Sequence, residues 1–223
     1  MAKRKKIPRA ERAEGNRKAL FRAAAKVVGA VGYKKASIAR ITQAAGLAQG
    51  TFYLYFESRQ DLFDQLLPEL GKNILVHLAE EVPGHPHILD AEREWFRSLI
   101  TYFIKNPGFF TILNETESVS ASALQIHVQN LVRAYTRTLL RYVRSGQIAP
   151  WTDSQLEIIS IILISARAYV YQYYLRGKNG VKKVPEEVVD TYVALLEHGI
   201  RGSPSIRSKT TPRASGISNT PVR

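Results

Sequence analysis

The sequence predicts an all-α fold: an N-terminal three-helix unit of the helix-turn-helix type, followed by a larger C-terminal helical domain. Three observations predict it. Apolar residues recur at helical spacing through one segment after another. The stretch from Ser37 to Phe56 reads as two short helices joined by a glycine turn. And the basic charge is gathered at one end. Of the net +13, residues 1–60 hold 14 Lys/Arg against 3 Asp/Glu, residues 61–200 hold 13 against 16, and residues 201–223 hold 5 against none. A local excess of that kind suits a region that meets polyphosphate while the near-neutral middle does not.

Residues 1–10 are basic, poor in apolar groups and interrupted by Pro8, and read as a flexible arm able to track phosphates or only to solvate the chain. From Glu11 to Val31 the residues Leu20, Ala24, Val27 and Val31 keep helical spacing, and Gly32 ends the helix. Ser37 then caps a short helix whose apolar face is Ile38, Ile41 and Ala45. Gly46 can take positive φ and turn the chain, with Leu47 free to plug the space between the helices. The next helix, of about six to eight residues or ~10 Å, is anchored by Phe52 and Phe56. Its other face offers Gln49, Gly50, Thr51, Tyr53 and Tyr55.

Ser58 caps a fourth helix carrying Leu62, Phe63, Leu66 and Leu67, with Asp61 in its first turn. Pro68 removes an N–H and Gly71 follows closely, so a kink or break is expected between Leu67 and Lys72. The prolines and glycine of residues 82–87 mark a loop. Its His85 and His87 lack a third ligand nearby and read as solvated loop residues rather than a metal site. A helix follows from Asp90 to Lys105, broken by Asn106-Pro107-Gly108, and after Phe109, Phe110, Ile112 and Leu113 a long amphipathic helix runs from Ala121 to Ser145. Asp153 to Leu175 is apolar on nearly all sides, as in a helix buried from more than one direction. With Val188 to Ile200, started by Pro185, it suits a helix pair packed against a second copy. Residues 201–223, rich in Ser, Thr, Pro, Gly and basic groups, read as disordered.

The chain has no cysteine, which excludes disulfides, cysteine nucleophiles and Cys-based zinc sites. No apolar run is read as long enough to span a membrane, and the basic N-terminus lacks the apolar core of a secretory signal, so a cytoplasmic protein is expected. Neither a Gly-x-Ser-x-Gly motif nor a phosphate loop is present, and no carboxylate-histidine cluster stands out, which argues against an enzyme.

The ordered string Gly32-Tyr33, Ser37-Ile38, Ile41, Ala45-Gly46-Leu47, Gly50-Thr51, Tyr53, Tyr55-Phe56, Ser58 and Asp61-Leu62 resembles the DNA-binding domain of the TetR/AcrR family of transcriptional regulators, over residues 11–67. The resemblance implies that residues 68–200 form an effector-binding and dimerisation domain, with the last two helices making a homodimer. It implies a double-stranded operator and a small-molecule effector as partners, with no cofactor. A reading helix this short covers a few base pairs, so two copies would read two half-sites of a near palindrome about one DNA turn apart or further.

Within each half, resemblance and chemistry point to the same groups. Gln49 can bond a base edge, Thr51 can meet a thymine methyl or a phosphate, Tyr53 and Tyr55 can donate to phosphates, and Gly50 lets the backbone approach. Lys35, Ser37 and Arg59, the last where the family often has lysine, would hold the DNA backbone. The family often has Ser or Thr where this chain has Ala48, so a helix cap is missing here. In the family the middle helices enclose the effector; candidates for its lining are Trp95, Phe103, Phe109, Phe110, Asn114, Tyr135 and Tyr169, with Arg133 and Arg167 as polar handles, although aromatics at helical spacing also make ordinary core. Arg167, set in an apolar helix, needs a carboxylate from the protein or from an acidic ligand, and a structural ion pair is the favoured reading. An activator of the same fold, and a sequence-independent architectural DNA binder built on the basic arms, remain the alternatives to a ligand-responsive repressor.

Overall fold

In a computed structural model of the 223-residue chain, the structure describes residues 8–82, 84–176 and 182–199. The basic arm before Pro8 and the tail from residue 201 lie outside the described residues. All regular structure among them is helical: α1 (Arg9–Lys35), α2 (Ile38–Ala45), α3 (Gln49–Phe52), α4 (Arg59–Glu81), α5 (Ile88–Lys105), α6 (Phe109–Val119), α7 (Ala121–Arg144), α8 (Asp153–Tyr169), continued by a π-helical turn over Val170–Leu175, and α9 (Glu186–His198). The chain divides into two compact units, residues 1–184 and 185–223. The second is described here only through α9, which starts after Pro185 with Glu186 and Glu187 in its first turn, where carboxylates favour the helix dipole.

The first unit is built on α1 and α4. On α1, Leu20, Phe21, Ala24 and Val28 are buried, and the helical run ends at Gly32, whose φ of 76° and ψ of 165° are open to glycine. Because the chain turns away there, Val31 is left on the outside at 37% exposure rather than in the core. Ser58 caps α4 by accepting the Asp61 N–H (3.1 Å), and Asp61 returns the bond by accepting the Glu57 N–H (2.9 Å).

Of the two outcomes expected at Pro68, a kink or a break, the break does not occur: α4 is one helix of 23 residues with Pro68 inside it. Gly71, which reads as the second half of a break, is instead a packing position. A Cβ there would stand 2.4 Å from Nδ1 of His127 on α7, so the glycine lets the two helices approach. Contacts with α7, α1, α5 and α6 hold α4 through the proline.

Around α4, the aromatic rings of Phe103, Phe109, Phe110 and Tyr171 form a cluster, with Phe103 and Phe109 stacked at 5.3 Å and Phe110 and Tyr171 at 5.0 Å. The π turn serves that cluster: it carries Tyr171 inward, where its hydroxyl donates to the Phe103 carbonyl (2.9 Å). The loop before α5 is tied to the end of α7, since Tyr142 donates to the His85 carbonyl (2.9 Å) and Gln147 to that of Pro86 (2.7 Å).

One expectation is corrected here. Asp153–Leu175 makes 23 continuous helical residues, long and apolar enough to cross a membrane by length and composition alone, because from Ile158 onward Ser160, Ser165, Arg167 and Gln172 only punctuate the run. Nor is this helix buried from several sides within the chain. Ile158 (58%), Ile162 (58%), Tyr169 (62%) and Tyr173 (73%) stand exposed along one stripe.

Candidate functional site

The helix-turn-helix is assembled from local signals. Ser37 caps α2 by accepting the Arg40 N–H (3.3 Å), and Gly46 closes it in the left-handed region (φ 67°, ψ 30°) while Leu47 N–H reaches back to the Thr42 carbonyl (3.0 Å). α3 then spans only Gln49–Phe52, shorter than the six to eight residues expected. Two causes lie in the sequence. Ala48 supplies no side-chain cap, and Gly50 weakens the single turn, so the chain continues in tighter bonds such as Leu54 N–H to the Thr51 carbonyl (3.3 Å). What fixes α3 is its anchors: Phe52 and Phe56 are fully buried, and Phe56 meets Phe21 of α1 edge-on at 5.2 Å.

With those two rings inward, the other residues of the segment are turned out. Gln49 and Gly50 are exposed, Tyr53 is 56% exposed, and Thr51 and Tyr55 are half-buried. The Tyr55 hydroxyl accepts a bond from Asn16 Nδ2 (3.1 Å), which orients it from α1. Lys35 is exposed, and its carbonyl accepts from the Arg40 guanidinium (3.4 Å). Arg59 lies over the Phe63 ring at 5.5 Å, a cation–π contact that fixes its stem at the start of α4. Ser37 spends its hydroxyl as an acceptor on the cap, which leaves its O–H available to donate. Sequence reasoning missed Leu54, at 77% the most exposed large apolar residue among the described residues. The spacing contained the signal, since position 54 lies midway between two anchors one turn apart and must face away from them.

The nine effector candidates are parted. Phe103, Phe109 and Phe110 belong to the aromatic cluster with Tyr171. Trp95 and Tyr135 meet at 6.0 Å beside Leu139 and Leu156. There Arg167, 4% exposed, pairs with the buried Glu92, and donates to the Tyr135 hydroxyl (2.6 Å), which in turn donates to Glu92. The carboxylate that Arg167 needs thus comes from the protein. Asn114 and Tyr169 are exposed, and Arg133 is exposed on α7.

Two clefts flank α4. One, of about 760 Å³, lies between α1, α4, α5 and α6 and takes in Phe109; the other, of about 540 Å³, lies between α1, α4 and α7 and takes in Arg133. The remaining seven candidates line neither.

The end of α1, just before the helix-turn-helix, is fastened to α6 and α4. Tyr33 N–H donates to Glu115 (2.9 Å), its hydroxyl meets that of Thr116 (3.0 Å), and its ring packs edge-on against Phe63 at 4.7 Å. Burial pushes the Tyr33 phenol up to about 12. One turn earlier, Gly29 of α1 and Gly108 before α6 touch so closely that a Cβ on either would fall 2.8 Å from the other's Cα. On the far side of α4, burial holds His127 down to about 4, against a smaller opposing effect of its bond to the Leu67 backbone.

Residues 20–66 match the sequence model of the family described as "Bacterial regulatory proteins, tetR family". The chain is 40% identical over 73 residues to the Uncharacterized HTH-type transcriptional regulator YvdT of Bacillus subtilis, covering 33% of this chain and 36% of that relative. It therefore spans about a third of the length of that curated relative. Among solved structures it is similar to the fatty acid degradation regulator FadR from Bacillus halodurans, with a TM-score of 0.65, 17% identity and coverage of 90% of this chain and all of that one. It is also similar to FadR from Bacillus subtilis in complex with stearoyl-CoA, with a TM-score of 0.57, 17% identity and coverage of 82% and 98%. At these identities the two structures speak for the fold.

Proposed function

We propose, for a chain that belongs to the TetR family of transcriptional regulators, that it is a repressor that binds a near-palindromic operator as a homodimer and is released by a small-molecule effector. The observation that carries this reading is the outward surface of the short α3. Buried Phe52 and Phe56 hold α3 and the turn after it, and Gln49 and Gly50 on the helix and Tyr53 and Leu54 just after it stand exposed. Such a surface offers a major groove one amide for base edges, a phenol for phosphate and an apolar group for a thymine methyl. Thr51, Tyr55, Lys35, Ser37 and Arg59 complete the contact, mainly by holding the DNA backbone.

A single α3 of four residues meets too few base pairs to specify an operator, so specificity requires a second copy. The exposed stripe Ile158, Ile162, Tyr169 and Tyr173 supports that copy's docking, because an apolar band of this length on a free surface is costly in water. Effector release fits a reading module that is coupled to α6 through the Tyr33 bonds and the packing of α1 on α6. A ligand that favours a different position of α6 would shift the module with it, by no more than its preference for that state. The stearoyl-CoA held by one structural neighbour supports an effector that joins an apolar chain to an acidic head.

The test is selection of bound duplexes from a random pool with purified full-length chain at moderate salt. A palindromic motif is expected. Uniform retention of all sequences would overturn the reading in favour of a sequence-independent binder acting through its basic segments.

A further inference from the structure

The larger cleft has a lining that gives the amphiphilic effector of the reading above a place and narrows its head group. Its α1 wall carries two stripes at i, i+4, i+8. Lys18, Arg22 and Lys26 form the cationic one, and Phe21, Ala25 and Gly29 the apolar one beside it. Lys105, from the last turn of α5, faces them across the opening, and Glu69 of α4 is the one carboxylate of the lining. The lining thus holds four cations against one acid. Lys18 has an exposed partner in Glu14 at 3.5 Å, but Arg22, Lys26 and Lys105 have no ion-pair partner among the described residues. Three unpaired cations around one cleft repel one another, and an anion seated among them relieves that repulsion.

The α6 part of the lining is apolar, made by Phe109 and Ile112. Gly29 and Gly108, which touch, both belong to the lining. A volume of about 760 Å³ is that of a small-molecule site. These same cations line the cleft together with residues of α4, α5 and α6, away from the groove-reading surface of α3, so they are placed for a ligand rather than for base readout.

We infer that this cleft binds a phosphate-bearing amphiphile, its dianionic head among Arg22, Lys26 and Lys105 and its apolar part on Phe109 and Ile112. A phosphate monoester carries nearly two negative charges at neutral pH and matches a lining whose net formal charge is three positive. A bound head would bridge the reading module, through α1, to α5. The binding stands on the cleft itself; its consequence for DNA rests on the repressor reading.

The probe is octyl phosphate, measured by calorimetry on the full-length chain without DNA, with octanol and inorganic phosphate as controls. One site per chain is expected, with octyl phosphate binding more tightly than either control. Lys26→Glu combined with Lys105→Glu is expected to weaken it at least about tenfold. Ala30→Trp, which fills the cleft from α1 without touching its charge, is expected to do the same, whereas Lys182→Glu, outside the lining, is not. Equal binding by the wild type and both cleft variants, with circular dichroism unchanged, would overturn the site, as would octanol binding as well as octyl phosphate. Binding in the cleft with no change in affinity for the selected operator keeps the site and removes the release mechanism instead.

Discussion

Arg167 of α8 and Glu92 of α5, 75 positions apart in sequence, form an ion pair that is almost wholly shielded from water, with the Tyr135 hydroxyl bonded to both. Inside a core, such a pair contributes little compared with apolar residues of the same shape, but removing one partner takes away the main ion-pair compensation of the charge left buried. Arg167→Met is therefore expected to lower the unfolding free energy by about 3–5 kcal/mol. Adding Glu92→Leu should recover most of that loss. Urea titrations of the two variants test this, and a single variant within about 1 kcal/mol of wild type would mean that Glu92 finds water or another partner.

The type of Arg167's partner was legible in the sequence and its identity was not, because spacing along one helix says nothing of what another helix brings. The same division runs through the molecule. Ser37, Gly46 and Ser58 act within a few residues of themselves, and their roles could be read directly, while the spacing of Phe52 and Phe56 marked them as anchors without showing what they pack against. Pro68 and Gly71 read as a break, since the reason for the glycine, the His127 ring, lies 56 positions away on α7. The lining of a ligand site was least legible. Phe103 and Phe110 carry the same helical spacing whether they face a cavity or each other, and here they pack at 4.9 Å.

His127 adds a pH dependence. Its Nδ1 has no hydrogen-bond partner and it is 3% exposed, so burial favours the neutral ring. In the fold it takes up a proton only near pH 4, whereas in the unfolded chain it does so near 6.5. Between these values the unfolded chain binds more protons, so stability falls as pH falls from 6.5 and the loss levels off below 4. By pH 5 the loss amounts to about 2 kcal/mol. Urea midpoints from pH 6.5 to 5, where few carboxylates titrate, should show this slope in the wild type and lack it in His127→Gln. Parallel slopes would assign the acid sensitivity to other groups.

On α8, Ile158 and Ile162 lie one turn apart and are each 58% exposed. If this stripe docks a second copy, a pair of glutamates placed there buries two charges at the interface, a cost of several kcal/mol. Ile158→Glu with Ile162→Glu is expected to give the 25.1 kDa mass of the single chain by light scattering where the wild type gives twice that mass. Its helix content should remain unchanged. A variant that stays dimeric would move the docking surface elsewhere.

Leu54 and Tyr53 are adjacent, 77% and 56% exposed, and neither is needed for the fold, since Phe52 and Phe56 hold the segment. Their chemistry separates two kinds of contact. A leucine can only make apolar contact, and the apolar group a major groove displays is the thymine methyl, so Leu54→Ala should relax preference at one operator position at a cost of about 1–3 kcal/mol. A phenol bonded to phosphate carries no sequence information. Tyr53→Phe should therefore weaken binding to all sequences alike, by about 1 kcal/mol. Thr51→Ala, together with Tyr53→Ala, should abolish specific binding while the dimer persists. Competition binding against operators altered one base pair at a time measures all three. A Leu54→Ala chain with unchanged preference at every position would take Leu54 off the groove and leave base discrimination to Gln49 and Thr51.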